Sequence, residues 1–72
     1  MHWENPAGLT ERQAQVMRLL AEGLTNPEIA ERLVVSVRTV DNHVSAVLDK
    51  LGVHTRRQAA ARAVELGMWP GR

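Results

Sequence analysis

Four segments of the chain place apolar residues at helical spacing, with short polar stretches between them. In the first, roughly 11–22, Val16, Leu19 and Leu20 share a face with Met17 beside them. In the second, roughly 26–33, Ile29, Ala30 and Leu33 come together. The third, roughly 37–51, carries Val40, Val44, Val47, Leu48 and Leu51, an i, i+4, i+7, i+8, i+11 stripe that marks a helix with one buried face. The fourth, roughly 56–66, is alanine-rich, with Ala59, Ala60, Ala61 and Ala63 joined by Val64 and Leu66. Alternation of period two persists nowhere. Val34-Val35-Ser36-Val37 is β-branched, but it is too short for a strand and runs into helix signals. The pattern predicts an all-α fold of four helices.

The polar stretches supply the boundaries. Thr10-Glu11-Arg12-Gln13, Thr25-Asn26-Pro27-Glu28 and Thr55-Arg56-Arg57-Gln58 each fit a capping box, in which the hydroxyl and the side chain three residues on satisfy orphan backbone N–H groups. Pro27 falls in a first turn, where no helical partner is lost. Ser36 caps the third helix without a Glu or Gln to complete a box. Gly23, Gly52 and Gly67 are glycine stops for the first, third and fourth helices. Residues 1–8 and 68–72 read as tails, because Pro6, Gly8, Pro70 and Gly71 oppose helix. The domain is expected over 9–67, with Trp3 and Trp69 anchoring the tails to it.

Composition narrows the function classes. The chain has 72 residues and no cysteine, which excludes disulfides and thiolate zinc sites. His2, His43 and His54 lack zinc-ligand spacing, and His43 reads as a structural residue beside the core. No metal or cofactor is expected. A supported catalytic pocket is rarely enclosed by so few helical residues, and no nucleophile–base pair can be assembled, so the chain reads as a binding module rather than an enzyme. No wholly apolar run exceeds three residues, far short of the roughly 20 needed to span a bilayer. A cytoplasmic location with no membrane partner is the expectation. The absence of Phe and Tyr disfavours recognition of RNA or single strands by aromatic stacking. Net charge is only +1, but residues 1–33 hold 3 basic and 5 acidic side chains, whereas 34–72 hold 6 basic and 3 acidic. The second half is the part suited to an anionic partner.

The connection between the second and third helices carries the functional signal. A short helix, a turn of about three residues and a longer helix make a helix-turn-helix unit. DNA-binding versions place the N-terminal half of the second helix against base edges in the major groove. On the third helix here, the face opposite the apolar stripe carries Arg38, Asp41, Asn42, Ser45 and Asp49, with Thr39, Ala46 and Lys50 on one flank. Amide, carboxylate and guanidinium groups are those that pair with adenine, cytosine and guanine edges. A solvated polar face, which any surface helix has, is the competing reading at this point.

These residues resemble the LuxR-type helix-turn-helix domain, the output module of bacterial transcription regulators. Leu9-Thr10-Glu11-Arg12-Gln13 is similar to its opening motif. The likeness continues through Leu19-Leu20-Ala21-Glu22-Gly23-Leu24-Thr25-Asn26, Glu28-Ile29-Ala30, and Leu33 with Ser36. Thr39-Val40, His43-Val44, Lys50-Leu51-Gly52-Val53, and Arg57 with Ala59 extend it over about residues 9–66. The resemblance implies that the third helix is the recognition helix and the fourth a dimerisation element. Asp41, Asn42 and Ser45 would then face bases, and Asn26, Ser36, Arg38, Thr39 and Lys50 would meet phosphate. Ala59 and Ala63 would form the interface of a homodimer. Double-stranded DNA is the implied partner, with RNA polymerase a second.

Four positions depart from the family pattern. Asp41 stands where Lys is frequent, and Ser45 where Lys or Arg is common; both lower the attraction to phosphate and alter the target sequence. Gln13 replaces Glu and preserves the capping box, and Pro27 replaces a frequent basic residue. The two acids on the third helix and the near-neutral charge also fit an alternative, a sigma-factor-like interaction module contacting the transcription machinery.

Overall fold

Each helix begins where a hydroxyl side chain closes the first turn. Thr10, Thr25, Ser36 and Thr55 have extended backbone, and each accepts a hydrogen bond from the N–H three residues on. The helices so opened are α1 (Glu11–Ala21), α2 (Asn26–Leu33), α3 (Val37–Leu51) and α4 (Arg56–Glu65). The computed structural model describes residues 8–67, and no strand occurs among them. The expected tails, Trp3 and Trp69 included, lie outside the described residues apart from Gly8. All four starts fall where the sequence predicts; α1 and α4 end one residue early. The three capping boxes are formed, with the N–H of Thr10, Thr25 and Thr55 donating to Gln13, Glu28 and Gln58 at 3.1, 2.8 and 3.2 Å.

Three helices end alike, on a residue in the left-handed region followed by an apolar residue whose N–H reaches back five positions. Gly23 (φ 97°) precedes Leu24, which donates to the Leu19 carbonyl at 3.2 Å. Gly52 (φ 71°) precedes Val53, which donates to Leu48 at 3.0 Å. At the end of α2 this position is Val34 (φ 59°), followed by Val35, which donates to Ala30 at 3.0 Å. Leu24, Val35 and Val53 each pack against the core, the hydrophobic lock that accompanies this helix end. The stop at Val34 is invisible to a search for glycine. A β-carbon in left-handed backbone costs roughly 1–2 kcal/mol, and Val34, 88% exposed, recovers almost nothing by burial.

The core is shared by all four helices. Val16, Met17, Ile29, Val40 and Val47 are its largest side chains with no meaningful exposure, joined by Leu9, Ala14, Leu20, Ala30, Val44, Leu51, Ala59 and Ala63. Burying each large aliphatic side chain contributes about 1.5–3 kcal/mol. α1 and α3 pack against one another and each touches both remaining helices. None of the helices described is long and apolar enough to cross a membrane.

The structure corrects one expectation. Ala59 and Ala63 are 0% exposed within the chain's own core, so no surface is left on either to bury against a second copy. Their smallness serves a different end: a helix face of alanines lets the α4 backbone approach α1 and α3 closely. Outside the core, α4 carries a stripe of Arg57, Ala60, Ala61 and Val64 at i, i+3, i+4, i+7 spacing, exposed except for the half-buried Ala60.

Because Val34 is strained and exposed, Val34→Gly should stabilise the domain by about 1 kcal/mol, read as a higher urea midpoint at unchanged m-value. A lower midpoint would show that the valine side chain contributes more than its backbone costs.

Candidate nucleic-acid interface

The rotation of α3 is set by Val40, Val44, Val47 and Leu51, which point inward. Arg38, Asp41, Asn42, Ser45 and Asp49 are thereby exposed, with Thr39 and Ala46 half-buried on the flank and His43 half-buried beside the core. Asn42, Ser45, Ala46, Asp49 and Val53 line one shallow open depression. Two expected base readers, Asn42 and Ser45, thus share a concave surface, whereas Asp41 lies on the neighbouring edge that faces α2.

The first turn of α3 gathers hydroxyls. Ser36 Oγ accepts from the Thr39 N–H at 3.0 Å, and the two hydroxyls lie 2.9 Å apart. Thr39 occupies the position at which a Glu or Gln would complete a capping box. The N-terminal end of the helix therefore presents two small hydroxyls and the exposed Arg38 beside the partial positive charge of the helix terminus, a setting suited to an anion.

A second cluster forms where α2, α3 and α4 meet. Asn26 Nδ2 donates to Asp41 Oδ1 at 2.7 Å, and Arg56 Nη1 donates to Asn26 Oδ1 at 2.9 Å. Arg56 Nη2 donates to the Leu24 carbonyl at 2.6 Å. A residue of α4 thus holds the first turn of α2, which in turn holds the carboxylate on α3. Sequence reasoning assigns Asn26 and Asp41 separately and places Arg56 only within the capping box of α4. Nothing in local spacing points to a bond between residues thirty positions apart.

Lys50 is occupied at the far end of α3. Its Nζ donates to Gln13 Oε1 at 2.8 Å and to the Gly8 carbonyl at 3.2 Å. Gln13 Oε1 also accepts the Thr10 N–H of the α1 capping box. Lys50 therefore clips the last turn of α3 to the start of α1, away from the hydroxyls and Arg38 at the opposite end.

Arg56→Ala should lower stability by about 1 kcal/mol, because it leaves the Leu24 carbonyl and the Asn26 amide without their donor. Arg56→Lys should recover less than half of that loss, since an ammonium cannot make the same two-pronged contact. Urea denaturation of the three proteins measures both; an unchanged midpoint for Arg56→Ala would mean that water replaces the guanidinium at no cost.

A family model described as GerE, bacterial regulatory proteins, luxR family, matches residues 7–63. The chain is 48% identical over 60 residues to the DNA-binding transcriptional activator DevR/DosR of Mycobacterium tuberculosis, covering 83% of this chain and 28% of that protein. It is 42% identical over 59 residues to the spore germination protein GerE of Bacillus subtilis, covering 82% of this chain and 80% of that protein. A solved structure of the transcription factor GerE superposes with a TM-score of 0.77 at 36% identity, covering 85% of this chain and 91% of that one. The chain spans about a quarter of the length of several relatives, among them DevR/DosR and, at 26%, LiaR of Bacillus subtilis.

Proposed function

We propose that this chain, which belongs to the luxR family of bacterial regulatory proteins, reads specific double-stranded DNA through α3 laid in the major groove. DNA-binding regulation of transcription is the function of its relatives; the contacts, the groove and the dimer are our reading. The observation that carries it is the outward turn of the N-terminal half of α3. Its polar residues lie on the face left open by Val40, Val44 and Val47, with the Ser36–Thr39 hydroxyl pair at its tip.

The roles follow from chemistry. Asn42 can pair with adenine N6 and N7, Ser45 can donate or accept, and Asp41 can accept from cytosine N4. Ser36, Arg38 and Thr39 meet phosphate at the start of α3, and Asn26 does so at the start of α2. Lys50 joins them only by leaving Gln13 and the Gly8 carbonyl. A homodimer forms through the α4 stripe of Arg57, Ala60, Ala61 and Val64, where Val64 is 51% exposed and Ala60 half-buried. Two copies then read half-sites about one helical turn apart.

Fluorescence anisotropy with a mixed-sequence duplex library, titrated at about 50 and 200 mM salt, tests the reading. Binding should weaken steeply with salt, and selection should enrich a two-fold symmetric sequence. Asn42→Ala should cost about 1–3 kcal/mol on the selected site and relax preference at one position. Arg38→Ala should weaken binding evenly across sequences and lower the salt slope by about 1. Equal losses on every sequence for Asn42→Ala would remove it from the base readers, and no binding at low salt would overturn the reading as a whole.

A further inference from the structure

Asn26 and Asp41 are each placed to meet DNA, yet they meet each other, Nδ2 to Oδ1 across 2.7 Å. The orientation of the amide is settled by its other neighbour. A guanidinium has donors only, so the Asn26 oxygen faces Arg56 Nη1 at 2.9 Å and its NH2 faces Asp41. Arg56 is itself pinned to the Leu24 carbonyl, so the amide is held from behind while a carboxylate covers its front. That carboxylate offers what a DNA phosphate would offer the same amide, a negative charge on acceptor oxygens. Asp41 is exposed and Asn26 half-buried, so the bond between them competes with water and is readily exchanged.

We infer that Asp41 makes tight binding conditional on cytosine, by releasing the Asn26 amide to a DNA phosphate only where a cytosine N4 amino group takes the amide's place. The inference rests on the reading of α3 as the helix in the major groove. An ionised carboxylate only accepts hydrogen bonds, and the major-groove edges offer two donors, cytosine N4 and adenine N6. Adenine sets the N7 acceptor beside its donor and repels the second carboxylate oxygen; cytosine sets no acceptor there. At a cytosine every group finds a partner: carboxylate with N4, amide with phosphate. At any other base, either Asp41 keeps Asn26 from the phosphate or an unpaired carboxylate lies among phosphates. Discrimination thus works in both directions: the right base adds a hydrogen bond, and the wrong base leaves a repulsion in place.

The test uses wild type, Asp41→Ala and Asn26→Ala on the duplex selected by wild type, on copies with each C·G pair changed to T·A, and on a random-sequence duplex. Thymine presents an O4 acceptor where cytosine presents its donor. Wild type should show one position in each half-site at which the change costs about tenfold or more. Asp41→Ala should lose that preference and bind the random duplex more tightly than wild type. Asn26→Ala should weaken binding on the selected duplex, lose little on the T·A copies and the random duplex, where the amide is not released, and so narrow the cytosine preference, with the salt slope unchanged because a neutral amide displaces no counterion. Circular dichroism checks that each variant is folded, and Asp41→Ser replaces Asp41→Ala if that variant is not. Persistence of the preference in the Asp41 variant, no tighter binding of the random duplex, or a selected site without cytosine would overturn the inference while leaving DNA reading intact. Absence of duplex binding by wild type would instead sink the DNA reading itself.

Discussion

The rotation of α3 about its own axis is fixed by four inward side chains, Val40, Val44, Val47 and Leu51. Every other feature of the outer surface depends on that. A rotation of one residue, about 100°, would bury Asp41 or Ser45 and expose a valine. Interiors are packed too tightly for a continuum of intermediate angles. α3 touches all three other helices, so its apolar stripe is surveyed from several sides at once. The same four residues that hold the core together therefore decide which polar groups point outward. Stability and presentation of the site are one constraint, met by one stripe.

The elements were legible because each is announced locally. A hydroxyl, a glutamine or glutamate three residues on and an apolar period of 3.6 lie within one helical turn or two, and Thr10, Thr25 and Thr55 carry the full signal. The outward set Arg38, Asp41, Asn42, Ser45 and Asp49 was legible for the same reason, since a helical wheel needs only the stripe it opposes. What was not legible lies outside that range. Val34 takes a backbone conformation that sequence statistics reserve for glycine, and only the need of Val35 to reach back to Ala30 and pack on the core imposes it. Arg56 reaching Asn26, and Lys50 reaching Gln13, join residues 30 and 37 positions apart. Such pairs are products of helix packing, which the spacing of residues along the chain does not encode.

Alanine in α4 shows how the same composition supports two opposite assignments. An alanine-rich helix face is suited to close approach, whether of a second copy or of the chain's own helices. The wheel of α4 has two stripes that satisfy the pattern, Ala59 with Ala63 and Ala60 with Val64. Here the chain's own core takes the first, completely. A chain of 72 residues must bury most of what it has, so the internal claim on a small residue outranks the external one. The stripe that remains outside is narrow and includes Arg57. A stripe so narrow makes at most a weak contact between copies unless something else brings them together.

Electrostatics on the outward face of α3 point the same way. Over the length of α3, Arg38 and Lys50 are balanced by Asp41 and Asp49. Lys50 is moreover drawn to the α1 end, and Arg38 is the one Arg or Lys in the first two turns of α3. Sequence-independent affinity for DNA comes from neutralised phosphates, with a salt slope of roughly 0.9 per phosphate on B-DNA. A face of balanced charge has little of it, so on the proposed reading a single copy gains less from nonspecific contact than from correctly paired base edges. Two copies on one duplex change that arithmetic, because the second binds at the effective concentration set by the first. On the proposed reading the acid on α3 and the narrow stripe on α4 are then complementary: each copy binds weakly alone, and DNA of the right sequence holds both.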